Sequence, residues 1–179
     1  METKPTLLLV EDDVNDVAMF KLAFGKIYPP YQVGLAVVND VPNAIHYLHG
    51  TGRFKRREEY PFPYAVVVDL KLPGLSGASL VQWIRVQPDF GNMLIAVWTG
   101  SHIAKDIAHL YRLGANSFLS KTDSPEDLAI DIRDLHDFWN KMGILVNFVP
   151  AVPPSRKSNQ SKKDDFFYRG KDHPGYDPE

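Results

Sequence analysis

The chain has 179 residues, a net charge of −2 and 44% hydrophobic residues, the profile of one globular domain with room for an appendage. That charge gives no global pull toward nucleic acid or an anionic membrane, and neither is expected as a partner. The absence of cysteine excludes disulfides, thiolate catalysis and cysteine-ligated metal clusters.

Residues 6–10 read as a buried strand that runs into Glu11-Asp12-Asp13. Asp13 caps a helix reaching about Phe24, and Asp16 in its first turn suits the helix dipole. Residues 32–38 read as a second strand. Asp40 and Pro42 open a second helix, which Gly50 ends near His49. Residues 50–63 form a long charged connection. Its run Arg53-Phe54-Lys55-Arg56-Arg57 is followed at once by Glu58 and Glu59, so we read a solvated loop. Residues 64–69 make the third strand, which delivers Asp69 into the turn Leu70-Lys71-Leu72-Pro73-Gly74-Leu75-Ser76-Gly77. A third helix spans 76–87 and stops at Pro88. The fourth strand, 93–99, ends on Thr99.

The fourth helix runs from His102 to Leu113. His102, Asp106 and His109 share one of its faces, read as solvated and not as a metal site, as are His46 and His49. Residues 116–120 form the fifth strand, followed by Lys121. Ser124-Pro125-Glu126-Asp127 is a capping-box pattern, and Leu128, Ile132, Leu135 and Trp139 continue at helical spacing toward Met142. Tyr111, Phe118, Phe138 and Trp139 must divide between the core and a partner face. We place the domain at 1–143. An extension covers 144–179, an apolar bridge over 144–149 and then a Pro/Ser/Lys/Asp-rich tail, disordered or partner-dependent. No apolar run approaches the roughly 20 residues of a membrane span, and the N-terminus lacks a secretion signal, so a cytoplasmic location is expected.

Five strands alternating with five helices imply an α/β fold with parallel pairing, right-handed crossovers and helices on both faces of the sheet. The carboxyl edge of such a sheet is where ligands bind. Glu11 and Asp12, Asp69, Thr99 and Lys121 all reach that edge. Clustered carboxylates repel by roughly 4 kcal/mol per pair at about 4 Å and an effective dielectric near 20. A hard divalent cation, Mg²⁺ above all, relieves this and suits an incoming phosphoryl group. Asp69 is then the nucleophile, Thr99 a hydroxyl donor and Lys121 a point charge for the phosphate.

Leu7-Leu8-Leu9-Val10-Glu11-Asp12-Asp13, Asp69-Leu70-Lys71-Leu72-Pro73-Gly74-Leu75-Ser76-Gly77, Trp98-Thr99-Gly100 and Phe118-Leu119-Ser120-Lys121 together resemble a response-regulator receiver domain of the chemotaxis-receiver type, over about residues 5–140. Tyr47-Leu48-His49-Gly50, Tyr60-Pro61-Phe62-Pro63, Trp83 to Pro88 and Leu113 to Ser117 resemble the single-domain regulators that partner bacterial phytochrome histidine kinases. The resemblance implies a flavodoxin-like doubly wound (βα)5 sheet of order 2-1-3-4-5. It makes Asp69 the phosphoacceptor, with Mg²⁺ held by Asp12 directly, by Glu11 through water, by Asp69 and by the backbone carbonyl of Lys71. Thr99 takes the role of switch hydroxyl, Phe118 of aromatic switch and Lys121 of phosphate-binding lysine. A histidine kinase partner, of the bacteriophytochrome type, is implied. So is a homodimer through the face made by the fourth helix, fifth strand and fifth helix.

The protein is thus expected to be no enzyme beyond gaining and losing its own phosphoryl group. One departure concerns Thr122, which stands where the family has proline after a cis bond. A cis bond before a non-proline residue costs about 3–4 kcal/mol, so either the strain is kept or the bond is trans and Lys121 approaches differently. Two rivals remain. A phosphohydrolase of the haloacid-dehalogenase type requires a second Asp where this chain has Lys71. An adaptor that ignores phosphorylation would dock through the apolar bridge and tail. No phosphate-cradling or dinucleotide glycine motif is present.

Overall fold

A computed structural model describes residues 4–28, 32–100 and 104–141. The apolar bridge and tail over 144–179, like Ser101 and His102, lie outside the described residues. Five parallel strands form one sheet in the order β2-β1-β3-β4-β5, as expected: β1 Thr6–Val10, β2 Gly34–Val38, β3 Ala65–Asp69, β4 Leu94–Thr99 and β5 Ser117–Ser120. The helices are α1 Val14–Ile27, α2 Val41–His49, α3 Gly77–Arg85, α4 Ala104–Leu113 and α5 Pro125–Lys141. Differences from the expected boundaries are confined to element ends, where helices and strands fray.

The inner strands β1, β3 and β4 are buried at every position, so alternation is absent from their sequences. Their side chains divide between two cores. Leu8, Val10, Val66, Val68, Ile95 and Val97 pack beneath α2, α3 and α4. Leu7, Leu9, Val67, Ala96 and Trp98 pack beneath α1 and α5 with Phe20, Phe24, Leu128, Ile132 and Trp139.

Caps fix the helix starts. Asp13 accepts from the Asn15 and Asp16 N–H groups at 2.7 and 3.1 Å, and Asp40 from the Asn43 N–H at 2.6 Å. Gly50 closes α2 in the left-handed region at φ 63°. Ser124 accepts from the Asp127 N–H at 3.2 Å, but its own N–H goes to Thr122 Oγ1, so only half of the expected reciprocal box forms.

The 50–63 connection departs from the solvated reading. Arg53, Lys55 and Arg56 are exposed, but Phe54 is buried against Tyr47. Arg57 turns inward and donates to the carbonyls of Tyr47, Leu48 and Tyr60 at 2.8, 2.7 and 3.1 Å. The C-terminal carbonyls of a helix lack intrahelical donors, and a guanidinium fork suits them. The loop is thereby tied to α2. Its residues Glu58, Glu59 and Tyr60 line a hollow along the edge strand β2. His49 also departs from its solvated reading, since its ring meets Trp83 and Phe90 at 5.3 and 5.4 Å. Tyr47, its phenol donating to the Pro61 carbonyl, is pushed by burial up to about 12.

Arg85, at the end of α3, donates to the carbonyls of Gly114, Gly91 and Met93 and to Asn116 Oδ1, all within 3.0 Å. It joins the amino ends of β4 and β5. Arg85→Ala leaves several half-buried acceptors without donors. We expect a loss of about 2–4 kcal/mol, read as a lower urea midpoint with an unchanged slope.

Candidate functional site

Parallel pairing brings the carboxyl ends of β1, β3, β4 and β5 to one rim. Asp69 is the last residue of β3 and pairs in register with Trp98, and Thr99 pairs with Ser120 next door. Glu11, Asp69 and Thr99 are buried, at 1%, 4% and 6% exposure, where a polar group is costly unless it is paired. Asp12 is exposed.

Both buried carboxylates are held. Glu11 accepts the Asp13 N–H on Oε1 at 3.0 Å, while its backbone N–H donates to the Val38 carbonyl. Asp69 Oδ2 accepts the Lys71 N–H at 2.7 Å, which fixes the carboxylate against its own turn. Gly77 lets the start of α3 close over Asp69, its N–H reaching the Leu70 carbonyl at 3.1 Å. Carboxylate oxygens of Glu11, Asp12 and Asp69 lie within 4.8 Å of one another. An all-oxygen set of three carboxylates, with one member open to solvent, fits a hard divalent cation that keeps part of its water.

Lys121 leaves β5 and its backbone N–H donates to the Thr99 carbonyl at 2.9 Å. Its ammonium lies 3.1 Å from Asp69 Oδ1 and 2.9 Å from Glu11 Oε2. The Lys121–Thr122 peptide is trans, as are all peptide bonds among the described residues. The trans option left open by Thr122 is therefore the one adopted, and the lysine still reaches Asp69.

Burial acts against the Lys121 charge, but bonds from Asp16, Glu11 and Asp69 outweigh it and hold the ammonium well above its usual range. Burial pushes the Glu11 carboxyl up, and the Lys121 and Asp13 bonds offset only part of that rise. Folding thus makes Glu11 bind its proton more tightly. Its deprotonation costs stability as pH rises from the ordinary carboxylate range through the raised value, a cost that a bound cation removes. A divalent cation bound by these carboxylates would therefore raise the melting temperature more at about pH 7.5 than at about pH 5, the gain nearing 2.7 kcal/mol at about 100 times its dissociation constant. Equal shifts at both pH values would contradict this.

The geometry adds two residues that the sequence reading did not place here. Asp16, assigned to the helix dipole, bonds Lys121 through Oδ2 at 2.6 Å. Trp98, read as strand core, lies with its ring 4.9 Å below the Lys121 ammonium. The fourth acidic residue in Glu11-Asp12-Asp13-Val14-Asn15-Asp16 was the available signal for the first. Phe118 is half-buried and meets Tyr111 edge-on at 6.5 Å. Among the aromatic residues divided between core and surface, Trp139 is buried, while Tyr111 and Phe138 are 49% and 52% exposed. The side chain of Asp106 lies outside the described residues, so the metal reading of that helix face does not arise here.

Comparison with known proteins agrees with this arrangement. The family model described as "Response regulator receiver domain" matches residues 7–133. The chain is 27% identical over 133 residues to "Response regulator Rcp1" of Synechocystis sp., spanning 74% of this chain and 87% of that one. A structure of the Mn²⁺-bound form of Rcp1 superposes with a TM-score of 0.65 at 25% identity, covering 83% of this chain and 99% of that one. The response regulator RPA3017 "in red light signaling of R. palustris" gives a TM-score of 0.70 at 28% identity, over 85% of this chain and 99% of that one. The "Bacteriophytochrome response regulator RtBRR" gives 0.63 at 25% identity, over 80% and 95%. No helix among the described residues is long and apolar enough to cross a membrane.

Proposed function

Because the chain belongs to the response regulator receiver-domain family, we propose that it accepts a phosphoryl group on Asp69 from a histidine kinase and switches a protein-binding surface in two-component signalling. One observation carries this reading: a buried carboxylate at a strand end, bonded to Lys121 and within 4.8 Å of two further carboxylates. Relatives named for red-light and bacteriophytochrome signalling support a kinase of the bacteriophytochrome type as the partner. The Mn²⁺-bound relative supports a divalent cation, Mg²⁺ in the cell, on Glu11, Asp12, Asp69 and the Lys71 carbonyl. We assign the receiver to residues 1–143 and a cytoplasmic setting.

In the transfer, an Asp69 oxygen attacks the phosphorus of a phosphohistidine. The new O–P bond forms as the N–P bond breaks, and the imidazole leaves. Glu11, Asp12 and Asp69 would hold a divalent cation, which would supply positive charge to offset the negative charge gathered in the transfer. Lys121 pairs with one of the phosphoryl oxygens, a charge-assisted bond. Thr99, buried at the end of β4, turns its hydroxyl toward another and donates to it. Phe118, which meets Tyr111 edge-on in this structure, then repacks. Tyr111 on α4 and Phe138 on α5 are half-exposed and apolar; we assign the α4–β5–α5 face to the switched contact and to homodimer formation. The phosphoryl group shifts the balance only as far as it binds the switched state more tightly.

Incubation with acetyl phosphate and Mg²⁺ tests the reading. The purified protein should gain the mass of one phosphoryl group, in an adduct that hydroxylamine removes. No adduct from acetyl phosphate or from a phosphorylated histidine kinase would end it.

A further inference from the structure

The Lys121 ammonium has three N–H donors, and three carboxylates face them: Glu11 at 2.9 Å, Asp69 at 3.1 Å and Asp16 at 2.6 Å. Two of those partners, Glu11 and Asp69, belong to the trio placed to share a cation, and Asp16 does not. Resting on the phosphoacceptor reading above, we propose that Asp16 is a positioning residue that keeps Lys121 beside Asp69 when a cation and a phosphoryl group claim the other two carboxylates.

The surroundings favour this. Lysine carries its charge on a flexible four-carbon stem, so its location depends on what holds it. The Lys121 side chain is 24% exposed, which leaves it a route to solvent. The Trp98 ring forms a floor under the ammonium on one side, and an aromatic face attracts a cation. Asp16 closes the α1 side. Its own place is set by α1, which Phe20 and Phe24 pin to the core with Phe20 edge-on to Trp98 at 5.2 Å. The wall and the floor of the lysine's seat are therefore parts of one packed unit. Asp16 touches no reacting atom in this scheme and acts only through Lys121.

The test measures adduct formation from acetyl phosphate at saturating Mg²⁺ in the full chain, with Mg²⁺ affinity from tryptophan fluorescence and a thermal melt alongside. Asp16→Ala should slow adduct formation about tenfold, the size expected for losing a charge-assisted anchor. Mg²⁺ affinity should stay within about threefold, since Asp16 is outside the carboxylate trio. Asp16→Asn keeps an acceptor oxygen at the same reach and should recover to within about threefold of wild type. A helix-dipole role alone would lower both variants' melting temperatures and leave the rates together. The proposal is overturned if Asp16→Ala reacts at the wild-type rate, if both variants slow alike, or if Mg²⁺ affinity falls about tenfold or more in either. Should Asp16→Ala fail to fold, Asp16→Ser takes its place in the comparison. If wild type itself forms no adduct, the phosphoacceptor reading has failed and not merely this addition to it.

Discussion

Asp69→Asn is expected to abolish the phosphoryl adduct altogether while leaving the fold intact. Asparagine keeps the size of the side chain and an oxygen for the Lys71 N–H, now at 2.7 Å from Oδ2, so the turn after β3 holds. It removes the nucleophile, because a neutral amide oxygen lacks the carboxylate's negative charge. It also removes one negative charge from a crowd of four formed by Glu11, Asp12, Asp16 and Asp69. Without cation the variant should be as stable as wild type or more so, by about 1 kcal/mol, since the remaining carboxylates repel less. With cation the order should reverse, as the variant offers a poorer site. Mass spectrometry after acetyl phosphate treatment, with melts at zero and saturating Mg²⁺, separates these effects. Equal labelling of the variant would place the acceptor elsewhere.

Gly77→Ala should be the most damaging glycine-to-alanine change among the described residues. A Cβ at this position would overlap the Asp69 carbonyl oxygen and come within 3.0 Å of Val68 Cγ2. The first contact is with backbone at the end of a buried strand, which has no rotamer into which to retreat. Either α3 lifts away, opening the core at Leu80, Val81 and Ile84, or Asp69 shifts and leaves its partners. Overpacking of this kind costs about 3 kcal/mol or more, and the adduct rate should fall with the stability. Gly25→Ala is the matched control. It lies within α1 with nothing within 4 Å of an added Cβ, and should stabilise by about 0.5–1 kcal/mol. If the two substitutions behave alike, the close approach of α3 to Asp69 has no energetic weight.

The legibility of this site has a simple origin. In a parallel sheet every strand points the same way, so residues that end apolar runs meet at one edge whatever their separation along the chain. Asp69 could therefore be assembled with Glu11, Thr99 and Lys121 from strand ends alone. Asp16 could not, because its direction depends on how α1 is rotated, and that is set by Phe20 and Phe24 seating against Trp98 and α5. Trp98 was legible as core but not as the lysine's floor, since only the neighbouring strand's exit puts Lys121 above it. The 50–63 connection was misread for a related reason. Its charges suggested water, yet Arg57 finds three carbonyls and Phe54 a buried seat, partners that exist only after α2 has formed. With Thr122 in place of proline, either isomer was open from the sequence, and the bond is trans.

The tethered loop beside β2 has a consequence for behaviour at high concentration. β2 is an outer strand, and an outer strand ordinarily offers its free amides and carbonyls to any extended chain that drifts by. Here Glu58 and Glu59 line a hollow shared with β2, on a loop fastened by Arg57 to the neighbouring helix. A foreign strand trying to extend the sheet would meet Glu58 and the Arg56–Glu59 pair beside that border, charged groups that cost energy to desolvate, so this border resists the first step toward fibrous clumping.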